Sequence, residues 1–345
     1  MRVLVTGNRG YIGSKLVKLL LDAGHEVQGY DSDLFRACTF FGEIIDVPTV
    51  VKDVRDAEIQ DLEGIDAIIH LAGLSNDPLG DYQPNLTDEI NHQASVRLAG
   101  LAKKAGVRRF LFASSCSNYG ASGDNFLSED AEFNPVTPYG ESKVHVEHAV
   151  SRLADDDFSP IFLRASTAYG MSPRIRFDLV LNNLTAWAFT TGRVYLKSDG
   201  TPWRPLVHVE DIGRSYLAAL EAPRDTVHNQ AFNVGTTTEN YQIRELADMV
   251  ADVVPNCRVE YAPEAGPDAR CYRVDCNQIA RSLHGFKPQW TARRGVEELY
   301  EAYKRVGLTL EEFEGEKFMR IAHVKKLISD GVLNSDLRWN ASRAA

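Results

Sequence analysis

The sequence predicts an α/β protein: a doubly wound parallel sheet of the Rossmann type with a smaller C-terminal α/β substrate domain. Three observations predict it. Short apolar, β-rich runs alternate with segments of helical spacing through the first half, a glycine-rich turn follows the first run, and the texture changes after about residue 170. With 345 residues and 44% hydrophobic content there is ample material for a core of that size.

The elements follow in order. "RVLVT" (2–6), "HEVQGY" (25–30), "TVVKDV" (49–54), "DAIIHLA" (66–72) and "RFLFAS" (109–114) read as strands. "GSKLVKLLLDAG" (13–24) and "INHQASVRLAGLAKKAG" (90–106) read as helices between them. Strands separated by helices of this length imply right-handed crossovers and a parallel sheet covered on both faces. "SPRIRFDLVLNNLTAWAFTTG" (172–192) predicts a helix, and "GTPWRPLVHVEDIGRSYLAAL" (200–220) a strand then a helix. "AFNVG" (231–235) reads as a late strand returning to the main sheet, and charged helices dominate from "RGVEELYEAYKR" (294–305) onward. The expected division is 1–170 for the sheet domain, with a returning segment at about 205–240, and 171–345 mainly for the second domain, C-terminal helices included. The "ASRAA" tail is expected to fray.

A net charge of -10 argues against a nucleic-acid-binding surface, which needs clustered excess Lys and Arg. The five cysteines, at 38, 116, 257, 271 and 276, are scattered without zinc-ligand spacing and read as reduced thiols. Apolar runs are far shorter than the ~20 residues of a spanning helix. "RVLVT" is not preceded by a secretory signal, so a cytoplasmic protein is expected.

"VTGNRGYIG" places Gly7, Gly10 and Gly13, with Tyr11 and Ile12 among them, between the first strand and the first helix. Glycines there permit a tight turn and close backbone approach to a pyrophosphate, which the helix N-terminus attracts. Asp31 ends the second strand, where a carboxylate accepts the adenosine ribose hydroxyls and repels a 2'-phosphate. The pattern predicts NAD as cofactor. Arg36 is either a solvated loop charge or a residue that would admit NADP.

"TPYGESK" holds Tyr139 and Lys143 four apart, one turn apart on one helix face. A tyrosine with its reference pKa near 10 is a poor base, but a neighbouring ammonium and a positively charged nicotinamide stabilise phenolate. An ordinary exposed Tyr–Lys pair has the same spacing; behind a dinucleotide turn, the catalytic reading is preferred. His145 and His148 follow on the same helix without a carboxylate–histidine set, so no metal is expected, and His70 and His208 read as satisfied core histidines.

The Gly-x-x-Gly-x-x-Gly spacing of the turn, with "HLAG" (70–73) after the fourth strand, resembles the extended short-chain dehydrogenase/reductase family, in its NAD-dependent nucleotide-sugar epimerase/dehydratase branch. The resemblance runs over roughly residues 1–300. It implies that Asp53 and Val54 meet the adenine and that Leu71, Ala72, Gly73 and Asn91 belong to the cofactor site. It also implies that Ser115 of "SSCSNYG" donates to the reacting sugar oxygen, completing a set with Tyr139 and Lys143. Ser75, Ser117, Thr167 of "LRASTAYG", Asn183 of "NNL", Arg204 of "WRPLVHVEDI" and Arg270 of "PDARCYRVD" then fall to a nucleotide-diphosphate sugar; for the two arginines a surface ion pair is the alternative. Pro205 and Leu206 depart from the family pattern. The two helices 90–106 and after Tyr139 match the pair that makes a homodimer in the family.

Dehydratases of the family carry Asp-Glu directly after the catalytic hydroxyl residue, where this chain has Cys116 and Ser117. The resemblance therefore implies 4-epimerisation through a transient 4-keto sugar. A nucleotide-deoxysugar 4-ketoreductase is the alternative, and a non-catalytic NAD-binding sensor a more distant one. If the strand stays extended to its end, Ser115 and Ser117 face the site and Cys116 packs away from it. The alternative, with the chain turning one residue early, is Cys116 as a thiol acid that supports epimerisation next to a ketone.

Overall fold

Val3, Leu4 and Val5 are completely buried, yet they pack on opposite sides of the sheet: Val3 and Val5 join one hydrophobic cluster with Leu16 and Leu20, and Leu4 joins another with Leu98 and Val146. Period-two alternation, with a helix layer on each face, thus makes the strand apolar throughout. In the computed structural model, which describes residues 1–75, 83–266 and 271–340, the same logic builds a seven-stranded parallel sheet. Its strands are β1 (Arg2–Thr6), β2 (Glu26–Asp31), β3 (Thr49–Val51), β4 (Ala67–His70), β5 (Arg109–Ser115), β7 (Ser159–Ala165) and β11 (Gln230–Val234). The spatial order is β11-β7-β5-β4-β1-β2-β3, so the winding reverses between β1 and β4. In such sheets the ligand crevice opens at the carboxyl ends of the strands flanking that reversal. Helices Gly13–Asp22 and Val209–Glu221 cover one face, and Ala94–Lys104 and Pro138–Ser151 the other.

The expected late strand does return to the sheet, at its edge, with Gln230 opposite Ile161. Outside the main sheet, β8 (Thr167–Tyr169), β10 (Trp203–His208) and β12 (Asn240–Gln242) form a three-stranded sheet. β9 (Arg193–Ser198) pairs with β13 (Arg258–Gly266), and β6 (Ala121–Leu127) with β14 (Cys271–Val274). His70 and His208 are core histidines with partners: His70 bridges Thr6 Oγ1 and Ser95 Oγ at 2.6 and 2.8 Å, and His208 meets Glu298 at 2.8 Å. The five cysteines are free.

Three elements depart from their expected form. The run 49–54 is a strand only to Val51, because Asp53 accepts the Arg55 N–H and caps a 3-10 turn. The helix expected over 172–192 begins only at Val180: Arg174 binds the Arg9 and Arg36 carbonyls and Arg176 pairs with Asp178, so the residues before it are held as an irregular loop. The helix expected from residue 90 is α only from Ala94, preceded by a π turn over Asp88–Gln93. The chain after the helix Ala292–Val306 also turns back: Val324, Leu333 and Leu337 pack into the cluster that holds Leu4 and Tyr30. The "ASRAA" tail lies outside the described residues. Among the described residues no helix is long and apolar enough to cross a membrane.

Candidate active site

The glycine turn is closed by its own backbone. Gly7 has φ of +71°, its N–H donates to the Tyr30 carbonyl at 2.8 Å, and the Gly10 N–H returns to the Gly7 carbonyl at 3.0 Å. A Cβ at Gly13 would lie 2.1 Å from the Gly7 oxygen, so only glycine lets the helix start there. Gly7, Gly10, Tyr11, Ile12, Gly13, Asp31, Asp53, Val54, Leu71, Ala72, Gly73 and Ser75 line one cleft of about 170 Å³. The bare backbone facing it and the helix N-terminus behind it suit a diphosphate. Asp31 is held by the N–H groups of Asp33 (2.8 Å) and Arg9 (2.9 Å). Burial raises its pKa and those two donors work against the rise. The residues present fit a dinucleotide: NAD would lie along the glycine turn with its ribose at Asp31. Asp53 differs from Asp31 in being satisfied within its own turn, by Arg55 at 2.8–3.0 Å. Burial acts to raise its pKa, but those bonds outweigh it and the value falls.

Asn91 acts one step back from the cleft. Its Oδ1 accepts the Leu74 N–H at 2.7 Å and its Nδ2 donates to the Leu74 carbonyl at 2.9 Å, fixing the loop after β4. A larger cavity of about 690 Å³, between the helices Gly13–Asp22 and Ala292–Val306, contains none of the residues expected at the site.

Tyr139 and Lys143 lie on the first turns of the helix Pro138–Ser151, whose start is set by Pro138 and by Thr137 Oγ1 accepting the Gly140 N–H at 3.1 Å. Tyr139 is half-buried. Lys143 is buried, with Nζ 5.4 Å from the Tyr139 ring centre and 4.7 Å from that of Phe112 on β5. Burial lowers the Lys143 pKa to about 8, against the pull of Glu147. An ammonium held beside a phenol favours its phenolate, the form that can act as a base.

The end of β5 does not stay extended: Cys116–Tyr119 form a 3-10 turn capped by Ser115 Oγ, which accepts the Ser117 N–H at 3.2 Å. Even so, the Ser117 hydroxyl donates to Ser115 Oγ at 2.8 Å, while Cys116 is fully buried and donates to the Arg164 carbonyl at 3.1 Å. Burial pushes its thiol up to about 12.

The residues expected at the sugar are spread more widely. Ser75 accepts from Arg176 Nη1 at 3.2 Å, and Thr167 and Arg204 share the three-stranded sheet. Arg204 is buried and donates to the Trp203 carbonyl at 2.8 Å, and Asn183 donates to the Phe177 carbonyl at 2.9 Å. Arg270 lies outside the described residues.

Sequence reasoning missed three features. Arg176, from the loop read as helix, is buried, pairs with Asp178 at 2.6 Å and lines the dinucleotide cleft. Glu147, four residues beyond Lys143, forms a buried pair with Arg164 at 2.7 Å and accepts the Ser114 hydroxyl. His145 does meet a carboxylate–histidine set: its ring lies 5.1 Å from that of His92, which bonds Asp88 at 2.8 Å. The partners come from another helix, so spacing along one helix could not show them. Glu147, lying on the Tyr139 face, carried a sequence signal; the other two did not.

The profile of the NAD dependent epimerase/dehydratase family matches residues 3–235. The UDP-glucose 4-epimerase of Mycolicibacterium smegmatis is 33% identical over 318 residues, covering 88% of this chain and 99% of that protein. The solved structure of MoeE5 in complex with UDP-glucose and NAD superposes with a TM-score of 0.76 at 29% identity, over 89% of this chain and 100% of that one. DesIV, a dTDP-glucose 4,6-dehydratase from Streptomyces venezuelae with NAD and TYD bound, gives 0.73 at 26%, over 88% and 97%. With its glycine turn, its Tyr139–Lys143 helix and this match over most of its sheet, the chain belongs to the NAD dependent epimerase/dehydratase family, and its cofactor is NAD.

Proposed function

We propose that the protein is a nucleotide-sugar 4-epimerase working through a transient 4-keto sugar, with Tyr139 as base and Lys143 and Ser115 in support. One observation carries the reading: next to Ser115 the chain offers a buried, protonated thiol and a hydroxyl, and no carboxylate. The nearby acids are engaged elsewhere, Glu147 by Arg164 and Glu129 by the Asn233 N–H at 2.7 Å. A site that oxidises the sugar alcohol but has no second acid–base pair to eliminate water is suited to returning the hydride. Bound NAD supplies acceptance and return of that hydride. Tyr139 removes the hydroxyl proton and restores it, Lys143 stabilises the phenolate, and the Ser115 hydroxyl holds the reacting oxygen. Relatives named as UDP-glucose 4-epimerases support this choice.

For the substrate, Ser75, Ser117, Thr167, Asn183, Arg204 and Arg270 are proposed as contacts to a nucleotide-diphosphate sugar. The test is a panel of UDP-, dTDP- and GDP-sugars assayed for interconversion of C4 isomers without added cofactor. Tyr139→Phe should keep NAD and lose at least about a thousandfold in kcat; a loss under tenfold removes Tyr139 from the mechanism. Net consumption of NADH with a 4-keto sugar would identify a reductase instead. We further propose a homodimer through the helices Ala94–Lys104 and Pro138–Ser151, whose outer residues Arg97, His145 and His148 are exposed. Light scattering at micromolar concentration should give twice the 38.4 kDa chain mass; a monomer mass rejects it.

A further inference from the structure

The last described residues leave the helices they follow and reach the loops after β2 and β3. Trp339 Nε1 donates to the Ser32 carbonyl at 2.7 Å, directly beside Asp31, and the Arg36 guanidinium lies 4.6 Å over the Trp339 ring. Arg338 approaches Asp53 at 3.6 Å and also pairs with Asp56. Leu337 and Arg320 line the same cleft as the glycine turn.

Arg320 is the unusual member. It is 7% exposed, its guanidinium stacks 3.7 Å over Phe35, and one N–H donates to the Arg174 carbonyl at 3.2 Å. A guanidinium has five N–H donors. Among the described residues no carboxylate pairs with this one, and the nearby Asp178, which acts on it only through its charge, is held by Arg176. Burial lowers its pKa to about 10, and the positive charge of Arg176 works in the same direction. A buried cation without an acidic partner calls for an anion, and a planar fork favours phosphate oxygens.

We propose that residues 320–339 form part of the dinucleotide site, with Arg320 binding the diphosphate of the cofactor and Trp339 fastening the segment over its adenosine end. This rests on the assignment of the cleft to NAD, and makes the C-terminal segment a strap that slows cofactor exchange. Asp31 disfavours a 2'-phosphate at the ribose, and the diphosphate is the remaining anion the cleft takes.

The test uses the full-length protein freed of cofactor, titrated calorimetrically with ADP, adenosine and NADP. Arg320→Met should weaken ADP at least tenfold and leave adenosine within twofold, and Arg320→Lys should recover part of the ADP affinity. In the loaded protein, Trp339→Ala should release NAD at least tenfold faster in a dilution chase. An unchanged ADP affinity in folded Arg320→Met overturns the phosphate role, as does equal weakening of adenosine. Weakening of NADP alone would make Arg320 a 2'-phosphate ligand and the proposal wrong. Should Arg320→Met not fold, Arg320→Lys decides: it keeps the charge but loses the fork, so an ADP affinity equal to wild type rejects bidentate binding. Unaltered NAD release in Trp339→Ala rejects the strap. None of these measurements uses sugar turnover, so failure of the epimerase reading leaves them standing.

Discussion

Lys143 is a residue whose position works against its charge. Its pKa falls from 10.5 to about 8 because burial disfavours the ammonium. Between those values the unfolded chain holds a proton that the folded lysine has released, so this site adds stability as pH rises through the window. Below about 8 both forms are protonated and the folded state bears the full cost of the buried charge. Lys143→Met should therefore unfold at a higher temperature than wild type at pH 7, with the gap narrowing by pH 9.5, while turnover is lost. Calorimetry at the two pH values checks it; a less stable variant at pH 7 contradicts the account. Tyr139 and Lys143 were readable as a pair because four residues make one helical turn. What spacing did not reveal was the burial of Lys143 against Phe112, which comes from a strand.

At the scale of elements, one buried ion pair ties the helix Pro138–Ser151 to the sheet. Glu147 projects from that helix to Arg164 on β7 and accepts the Ser114 hydroxyl from β5, one residue before Ser115. It thereby joins the helix that carries Tyr139 and Lys143 to the strand end that carries Ser115. Removing one partner leaves the other charge buried, so Glu147→Ala should cost about 3–5 kcal/mol, read as a shift in urea midpoint at unchanged slope. A loss under about 1 kcal/mol would show the pair to be dispensable. The main-sheet strands were legible from apolar runs, yet 49–54 and 172–192 were read too long. In both, side chains bond locally to backbone or to a neighbouring charge, as Asp53 does with Arg55 and Arg176 with Asp178, and end the regular element.

For the molecule as a whole, the doubly wound class was evident because both faces of the sheet are covered and its strands, such as "RVLVT", carry apolar residues on both sides. The return of the C-terminal segment was not evident. The helix Arg320–Ser329 packs an apolar stripe of Ile321, Val324, Leu327 and Ile328 on the cluster, but the chain beyond it is fastened by single residues, Leu333, Leu337 and Trp339, placed after the helix ends. No periodicity announces contacts of that kind. The cleft was therefore anticipated from its glycine side, with the opposite wall missing.

The place of β11 at the edge of the sheet has a kinetic consequence. β7 exposes one row of backbone donors and acceptors until Gln230–Val234 arrives from far along the chain to pair with Ile161–Ala165. Long-range parallel pairing is slow, on the order of milliseconds to seconds or longer, and an unpaired edge meanwhile recruits other chains. Refolding from urea should lose yield as protein concentration rises, with the loss confined to dilution times shorter than the formation of that last pair. Stopped-flow fluorescence with recovered NAD binding as the endpoint would show it, and a yield independent of concentration would mean that the edge is shielded before β11 docks.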